Sequence, residues 1–287
     1  MEEWKWLEFQ YAKQLRESGV NERRRLYNEA YSAVSKLAIE RFKSSDPEDR
    51  TAGTSKLLVN LLSQMVDKHD NVLEIGSGRG YTCLMLAPYV MSMVGTDVSE
   101  PSIIESKAIL SRHRVKNVEI KHVSAFELTG NFSDNEFSVC ISIDVVEHLH
   151  PEDAKEHLRQ VFHVLKPGGR YIIIMPNRLD GPHDITREEF PEARYALGFH
   201  LNESTYRQMT KIMRAIGFDS FQVFLPLRIP KKGVRPLIMP YQFSIVSEIL
   251  YRMLPDCLRP RILNKIIPIR LVAHKPATCQ LVRKCHK

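Results

Sequence analysis

Between residues 71 and 225 the chain switches repeatedly between two periodicities, and this switching restricts its fold more than any other feature. Short apolar runs with β-branched residues occur at Asn71–Ile75, Met91–Asp97, Val118–Val123, Phe137–Ile143, Arg170–Met175 and Phe218–Leu225. Helical spacing fills the gaps near 79–89, 101–113, 151–165 and 202–215. Strands that alternate with helices imply a mainly parallel sheet covered on both faces, because each parallel connection must cross the sheet. A last run at Ile269–His274 brings the expected architecture to a seven-stranded, mostly parallel α/β sheet.

The flanks read differently. Trp4, Leu7, Tyr11 and Leu15 recur at helical spacing, as do Leu26, Ala30, Val34, Leu37 and Ala38, before a break at Ser44-Ser45-Asp46-Pro47. Thr54 or Ser55 then caps a third helix that carries Leu57, Leu58, Leu61, Leu62 and Met65. Residues 226–268 form a Pro-rich, basic insertion with an amphipathic stretch, Phe243, Val246, Ile249, Leu250, Met253 and Leu254. The expected division is an N-terminal helical cap at 1–68, a core at 69–225, and the insertion, last strand and tail at 226–287. Tyr11, Tyr27 and Tyr31 are candidates to line a pocket beneath the cap, or to be plain core.

Charge follows the same division. The net charge of +7 arises from residues 226–287, which hold thirteen Lys/Arg against Glu248 and Asp256, a balance of +11; the rest of the chain carries −4. A nucleic-acid binder distributes positive charge more widely and interleaves it with aromatics, so nucleic acid is not the expected partner. An apolar helix side flanked by Lys231, Lys232, Arg235, Arg252, Arg259, Arg261 and Lys265 can instead lie on an anionic membrane or face a lipid-like substrate. It can equally pack on the sheet with a solvated basic rim. No run reaches the ~18 apolar residues of a membrane span, and the acidic start Met-Glu-Glu reads as no secretory signal. Five cysteines without Cys-x-x-Cys spacing read as reduced thiols, which points to a cytoplasmic chain.

The first strand runs directly into Glu74-Ile75-Gly76-Ser77-Gly78-Arg79-Gly80. Glycines permit a tight turn and let a ligand lie against backbone N–H groups at a helix start. A dinucleotide could use such a turn, but position 81 is Tyr81 and Glu74 precedes the turn. An anion there repels a pyrophosphate and suits a ligand carrying ammonium and sulfonium groups.

This block resembles motif I of the class I S-adenosylmethionine-dependent methyltransferases, and the resemblance extends over about 70–225. It implies a Rossmann-like core that binds S-adenosylmethionine through Glu74, Gly76, Ser77, Gly78 and Gly80. Val94-Gly95-Thr96-Asp97 looks like the family's second strand, whose terminal acid takes both ribose hydroxyls; two oxygens of one carboxylate suit a cis-diol. Val98 would pack on the adenine and Ser124-Ala125-Phe126 would hold its edge, although the family often has aspartate where Ser124 stands. Leu165-Lys166-Pro167-Gly168-Gly169 also matches the family's approach to its fifth strand.

After the fourth strand comes Asp144-Val145-Val146-Glu147-His148, and in open α/β sheets reacting groups gather beyond the strands' carboxyl ends. If the chain coils there, Asp144, Glu147 and His148 converge. Methyl transfer needs the acceptor aligned and water excluded, and a hydroxyl acceptor must also lose its proton; a base such as His148 would contribute ~10²–10⁴-fold. With His200 the element resembles the metal site of small-RNA 3′-end 2′-O-methyltransferases, and its Glu-His pair occurs in ubiquinone-biosynthesis O-methyltransferases. Under that resemblance Asp144, Glu147, His148 and His200 would hold Mg²⁺ or Zn²⁺. The same pair is widespread in relatives without a known metal, where it shapes the pocket or caps a helix. His183 reads as a loop residue.

The expected activity is methylation of a small molecule, at oxygen and with a lipid-like body, catalysed through Asp144, Glu147, His148 and His200, with Asp144 also touching the cofactor. The rival readings are an RNA 3′-end 2′-O-methyltransferase and a non-catalytic S-adenosylmethionine-binding scaffold.

Overall fold

The computed structural model describes residues 2–41, 54–231, 233–254 and 268–278. The expected break at Ser44–Pro47, the side chains of Thr54 and Ser55, the basic residues Lys232, Arg259, Arg261 and Lys265, and the tail beyond 278 lie outside the described residues. Two helices, Glu3–Glu17 (α1) and Val20–Arg41 (α2), precede Thr54–Leu62 (α3). The core then runs Asn71–Ile75 (β1), Tyr81–Leu86 (α4), Ser92–Asp97 (β2), Glu100–Arg112 (α5), Val118–His122 (β3), Leu128–Asn131 (α6), Phe137–Ile143 (β4), Pro151–Val164 (α7) and Leu165–Met175 (β5). It ends with Thr186–Glu189 (α8), Tyr206–Ile216 (α9), Ser220–Ile229 (β6), Gly233–Pro240 (β7), Gln242–Met253 (α10) and Ile269–His274 (β8).

The strands form a sheet of eight in the order β3-β2-β1-β4-β5-β8-β6-β7. Neighbours from β3 to β5 are parallel, whereas β8 is antiparallel to both β5 and β6, and β7 is antiparallel to β6. The sequence expectation of seven strands is corrected by β7, which lies in the stretch read as a helical insertion. Its apolar run is broken by Pro236 and Pro240, which an edge strand tolerates because its outer N–H groups have no partner to lose.

Strand alternation divides the core into two layers. Leu73, Ile75, Cys140, Tyr171 and Ile173 face Leu26, Tyr27 and Ala30 of α2 and Leu158 and Val161 of α7. Val72, Val139, Ile141, Ile172 and Ile174 face Leu61 and Leu62 of α3, Cys83 and Leu86 of α4, and Ile103 and Leu110 of α5. Each such side chain fully buried stabilises the fold by about 1.5–3 kcal/mol.

Strand order reverses between β1 and β4, which are paired with Ile75 opposite Ser142. The segments leaving these two strands therefore lie side by side at the topological switch point. They also touch: a Cβ on Gly76, whose φ is +70°, would sit 2.5 Å from Val145 Cγ2. Asp144, at the β4 exit, adopts φ 51°, a left-handed conformation that costs a non-glycine residue about 1–3 kcal/mol and that recurs at functional sites.

Candidate active site

The turn after β1 is held by backbone contacts. Ser77 N–H donates to the Thr96 carbonyl at 2.8 Å, and Gly78 N–H donates to Asp97 Oδ2 at 2.8 Å. Ser99 N–H donates to Asp97 Oδ1 at 2.8 Å, so both carboxylate oxygens are fixed at the end of β2. Burial pushes the Asp97 proton affinity up, while the Ser99, Gly78 and Val98 amides oppose the shift.

A cavity opens at this switch point, lined by Ile75, Gly76, Asp97, Val98, Ser124, Ala125, Phe126, Asp144, Val145 and His148 among others. Of the residues expected to bind the cofactor, Gly76, Asp97, Val98, Ser124, Ala125, Phe126 and Asp144 line it, whereas Ser77, Gly78 and Gly80 shape the turn behind it. Glu74 is differently placed. Alternation along β1 turns its side chain to the α4 layer, where Cys83 Sγ–H donates to Oε2 at 3.0 Å, and burial raises its carboxyl to about 7. Glu74 thus supports the turn from behind instead of walling the cavity.

Helix α2 closes this cavity with Tyr27 and Tyr31, and Tyr11 is not in the lining. Buried Arg23 fixes the helix, with Nε donating to Asp153 Oδ2 at 2.7 Å and Nη2 to Glu152 Oε2 at 2.8 Å. Tyr27 Oη accepts from His150 N–H at 2.7 Å. Tyr31 meets the His148 ring edge-on, with centroids 5.8 Å apart, and its hydroxyl is buried with no partner among the described residues.

A second cavity, of about 590 Å³, shares Asp144 and His148 with the first. Its walls are mostly apolar, with Leu57, Leu58 and Leu61 of α3, Ile143, Ile174 and Met175 at strand ends, and Pro226 and Pro268. Asp180, His183 and His200 gather at one end, and Arg270 of β8 adds a further polar group to the lining. The loop bearing His200 is pinned from α1, where Arg16 donates to the carbonyls of Ala196, Leu197 and Gly198 and Glu8 accepts from Phe199 N–H at 3.2 Å.

Glu203 organises this end. Its Oε1 accepts from His200 Nδ1 at 2.8 Å and lies 3.3 Å from His183 Nδ1, and His183 Nε2 is 3.1 Å from Asp180 Oδ1. Burial disfavours the His183 charge, but the bonds to Asp180 and Glu203 outweigh it and raise His183 to about 9. Burial likewise opposes ionisation of Glu203, yet the bonds from both histidines lower it to about 2. An ionised Glu203 can only accept, so His200 donates to it through Nδ1–H. His183, read from sequence as a loop residue, thus belongs to a five-residue polar cluster with Asp180, Asp184, His200 and Glu203. Their crowding between residues 180 and 203 is the signal that could have revealed it.

The coil expected after β4 is present as the single turn Val146–His148. One donor atom each from Glu147, His148 and His200 lies within 4.8 Å of the others, and the two histidine rings are 4.8 Å apart edge to face. Asp144 stands beside Glu147 but outside this set of three. Among the described residues, both Glu147 oxygens and His148 Nδ1 are buried without a hydrogen-bond partner of normal geometry, with the Asp144 carboxylate beside Glu147. Burial first, and the Asp144 carboxylate second, raise the Glu147 carboxyl far above its usual range; burial lowers His148 to about 3. The donors fit a divalent cation, because orphaned carboxylate oxygens and neutral imidazoles are what such an ion requires. Glu147, His148 and His200 would hold it, and it would supply a Lewis acid beside the second cavity.

Residues 72–169 match the methyltransferase domain family. A Mycolicibacterium smegmatis protein described as an S-adenosylmethionine-dependent methyltransferase is 28% identical over 149 residues, covering 52% of this chain and 52% of the relative. The 2-heptyl-1-hydroxyquinolin-4(1H)-one methyltransferase of Mycobacteroides abscessus is 28% identical over 131 residues, covering 43% of this chain and 56% of the relative. The chain thus spans only about half the length of these curated relatives. The structure of Burkholderia thailandensis 1,6-didemethyltoxoflavin-N1-methyltransferase, with 1,6-didemethyltoxoflavin and S-adenosylhomocysteine bound, superposes with TM-score 0.56 at 16% identity over 90% of this chain and 91% of that one. Over residues 72–169 the chain thus carries a methyltransferase domain, and the relatives it resembles there include S-adenosylmethionine-dependent methyltransferases.

Proposed function

We propose that the chain transfers a methyl group from S-adenosylmethionine to a hydroxyl oxygen on a small molecule with an apolar body. The observation that carries this reading is the meeting of two cavities at Asp144 and His148. The first, with Asp97, Val98 and Ser124–Phe126 on its wall, is the donor cavity; the second is the acceptor cavity. In-line displacement needs the acceptor atom behind the methyl group, at the junction of the two. Leu57, Leu58 and Leu61 hold the apolar body and exclude water, while the hydroxyl points to His148 and His200. His148 Nδ1, buried and unpartnered, is placed to take the hydroxyl proton, and Glu203 orients His200 beside it. The quinolone relative, named for a hydroxylated acceptor with a heptyl chain, supports an acceptor of this kind.

The test is transfer of labelled methyl from S-adenosylmethionine into a cell extract, followed by identification of the labelled species with and without a chelator. A labelled ether on an apolar molecule is expected. Label on nitrogen, carbon or RNA would overturn the acceptor assignment. Lost activity in chelator, restored by a divalent cation, is expected if Glu147, His148 and His200 hold a metal; unchanged activity leaves His148 as a metal-free base.

A further inference from the structure

Helix α10 is turned inside out relative to its composition. Phe243, Val246, Ile249, Leu250 and Met253 share one side of the helix and are between 42% and 76% exposed. The side facing the protein carries Ser244, Ser247, Glu248 and Tyr251, all buried. The inversion has a structural cause. Glu248 Oε1 accepts from Asn177 Nδ2 at 2.9 Å and from Tyr206 N–H at 2.6 Å, which holds the polar side against the β5 exit and the start of α9. Tyr251 packs with Leu179 and Leu254. Leu227, Leu237 and Ile238 of the adjoining β6–β7 hairpin are exposed as well.

An exposed apolar patch of this extent calls for a partner, and charge indicates which. Among the described residues of 226–254, Arg228, Lys231, Arg235 and Arg252 are exposed, while Glu248, the only acid in that stretch, is buried. The outward surface of this region therefore combines apolar and cationic groups without an exposed carboxylate. A second copy of the chain would bring the same positive charge against it. An anionic bilayer supplies both an apolar layer and the opposite charge. At 12 residues α10 spans about 18 Å, too little to cross a ~30 Å hydrocarbon core, so it suits an orientation in the interface plane.

We propose that the outer face of α10 docks this protein on an anionic lipid surface. The proposal does not depend on the identity of the methyl acceptor. It also gives a place to the second cavity, because Asn177 and Tyr206 link α10 to that cavity's wall: Tyr206 Oη donates to the carbonyl of Pro268, a lining residue, at 2.8 Å.

The test is co-sedimentation of the full chain with phosphatidylcholine vesicles, with and without phosphatidylglycerol. Binding is expected to the anionic vesicles only, and to fall as salt rises. Val246→Asp and Ile249→Asp should each weaken it by about tenfold or more, because an apolar contact is replaced by a charge that the surface repels. Ile104→Asp, an exposed apolar position on α5, should leave it unchanged, and calorimetry should show unaltered S-adenosylmethionine affinity for all three variants. No binding to anionic vesicles at low salt would overturn the proposal. So would equal binding to neutral vesicles, loss of binding in Ile104→Asp, or a dimer in sedimentation that Val246→Asp and Ile249→Asp abolish.

Discussion

The two cavities proposed to hold donor and acceptor meet at Asp144 and His148, yet the chain builds them in opposite ways. The donor cavity is local. Nearly all its wall comes from strand ends and the turns that follow them, and its polar contacts are backbone amides fixed by the parallel ladder. The acceptor cavity is collected from distant parts of the chain, with Leu57 on α3, Asp144 after β4, His183 and His200 in the loop before α9, and Arg270 on β8. A core that fixes the donor by backbone geometry can change its acceptor by altering loops and added helices while the sheet stays the same.

This contrast can be broken by substitution. For donor binding the largest effect is expected for Asp97→Ala, which removes both fixed carboxylate oxygens from the donor cavity. S-adenosylmethionine affinity should fall about 100-fold by calorimetry, as two hydrogen bonds to a charged group are lost. Unchanged affinity would mean that the ribose does not lie there. On the acceptor side, Glu203→Ala should lower turnover about ten- to a hundredfold by freeing His183 and His200, with donor affinity unaltered. A loss of donor affinity would show that the cavities are not separable.

Smaller effects probe the turn itself. Gly76→Ala places a Cβ against Val145 at a positive φ, and should destabilise the fold by about 1–3 kcal/mol in denaturant titration. Val145→Ala in the same chain should recover the steric part and leave the backbone part; no recovery would mean that the two segments do not touch. The smallest effect concerns Glu74. Burial raises its carboxyl from 4.5 to about 7, so the folded state holds this proton more tightly than the unfolded chain. Stability is therefore greatest below the unfolded value and declines as pH rises from 4.5 through about 7. Glu74→Gln should raise the stability of the cofactor-free protein by ~2 kcal/mol at pH 8 and change little at pH 4. An equal gain at both pH values would contradict the assigned cause.

The same contrast explains what was legible in the sequence. Gly76, Asp97, Val98 and Ser124–Phe126 could be placed because each lies at a strand end, and strand ends follow from local periodicity. Glu74 reads as a partner of the cofactor because sequence adjacency ignores which side of β1 a residue faces, and its side chain lies against Cys83 instead. Asp144, Glu147 and His148 lie close in sequence, so their convergence was visible, and His200 came with them only through resemblance. Glu203, Asp180 and Arg270 were missed, since loops at long sequence separation carry no period. β7 was hidden by its prolines. The amphipathic stretch at 243–254 was visible as a pattern, but its orientation was not. Glu248 turns the helix over by bonding Asn177 and Tyr206, residues that only the fold brings near.

The claim that donor and acceptor sites are distinct and join at His148 is tested most directly by His148→Gln, measured for both cofactor affinity and methyl transfer into extract. The account predicts S-adenosylmethionine affinity within about threefold of the parent and transfer reduced by ~10²–10⁴-fold. Transfer at the parent rate, or a loss of affinity large enough to explain the loss of transfer, would contradict it.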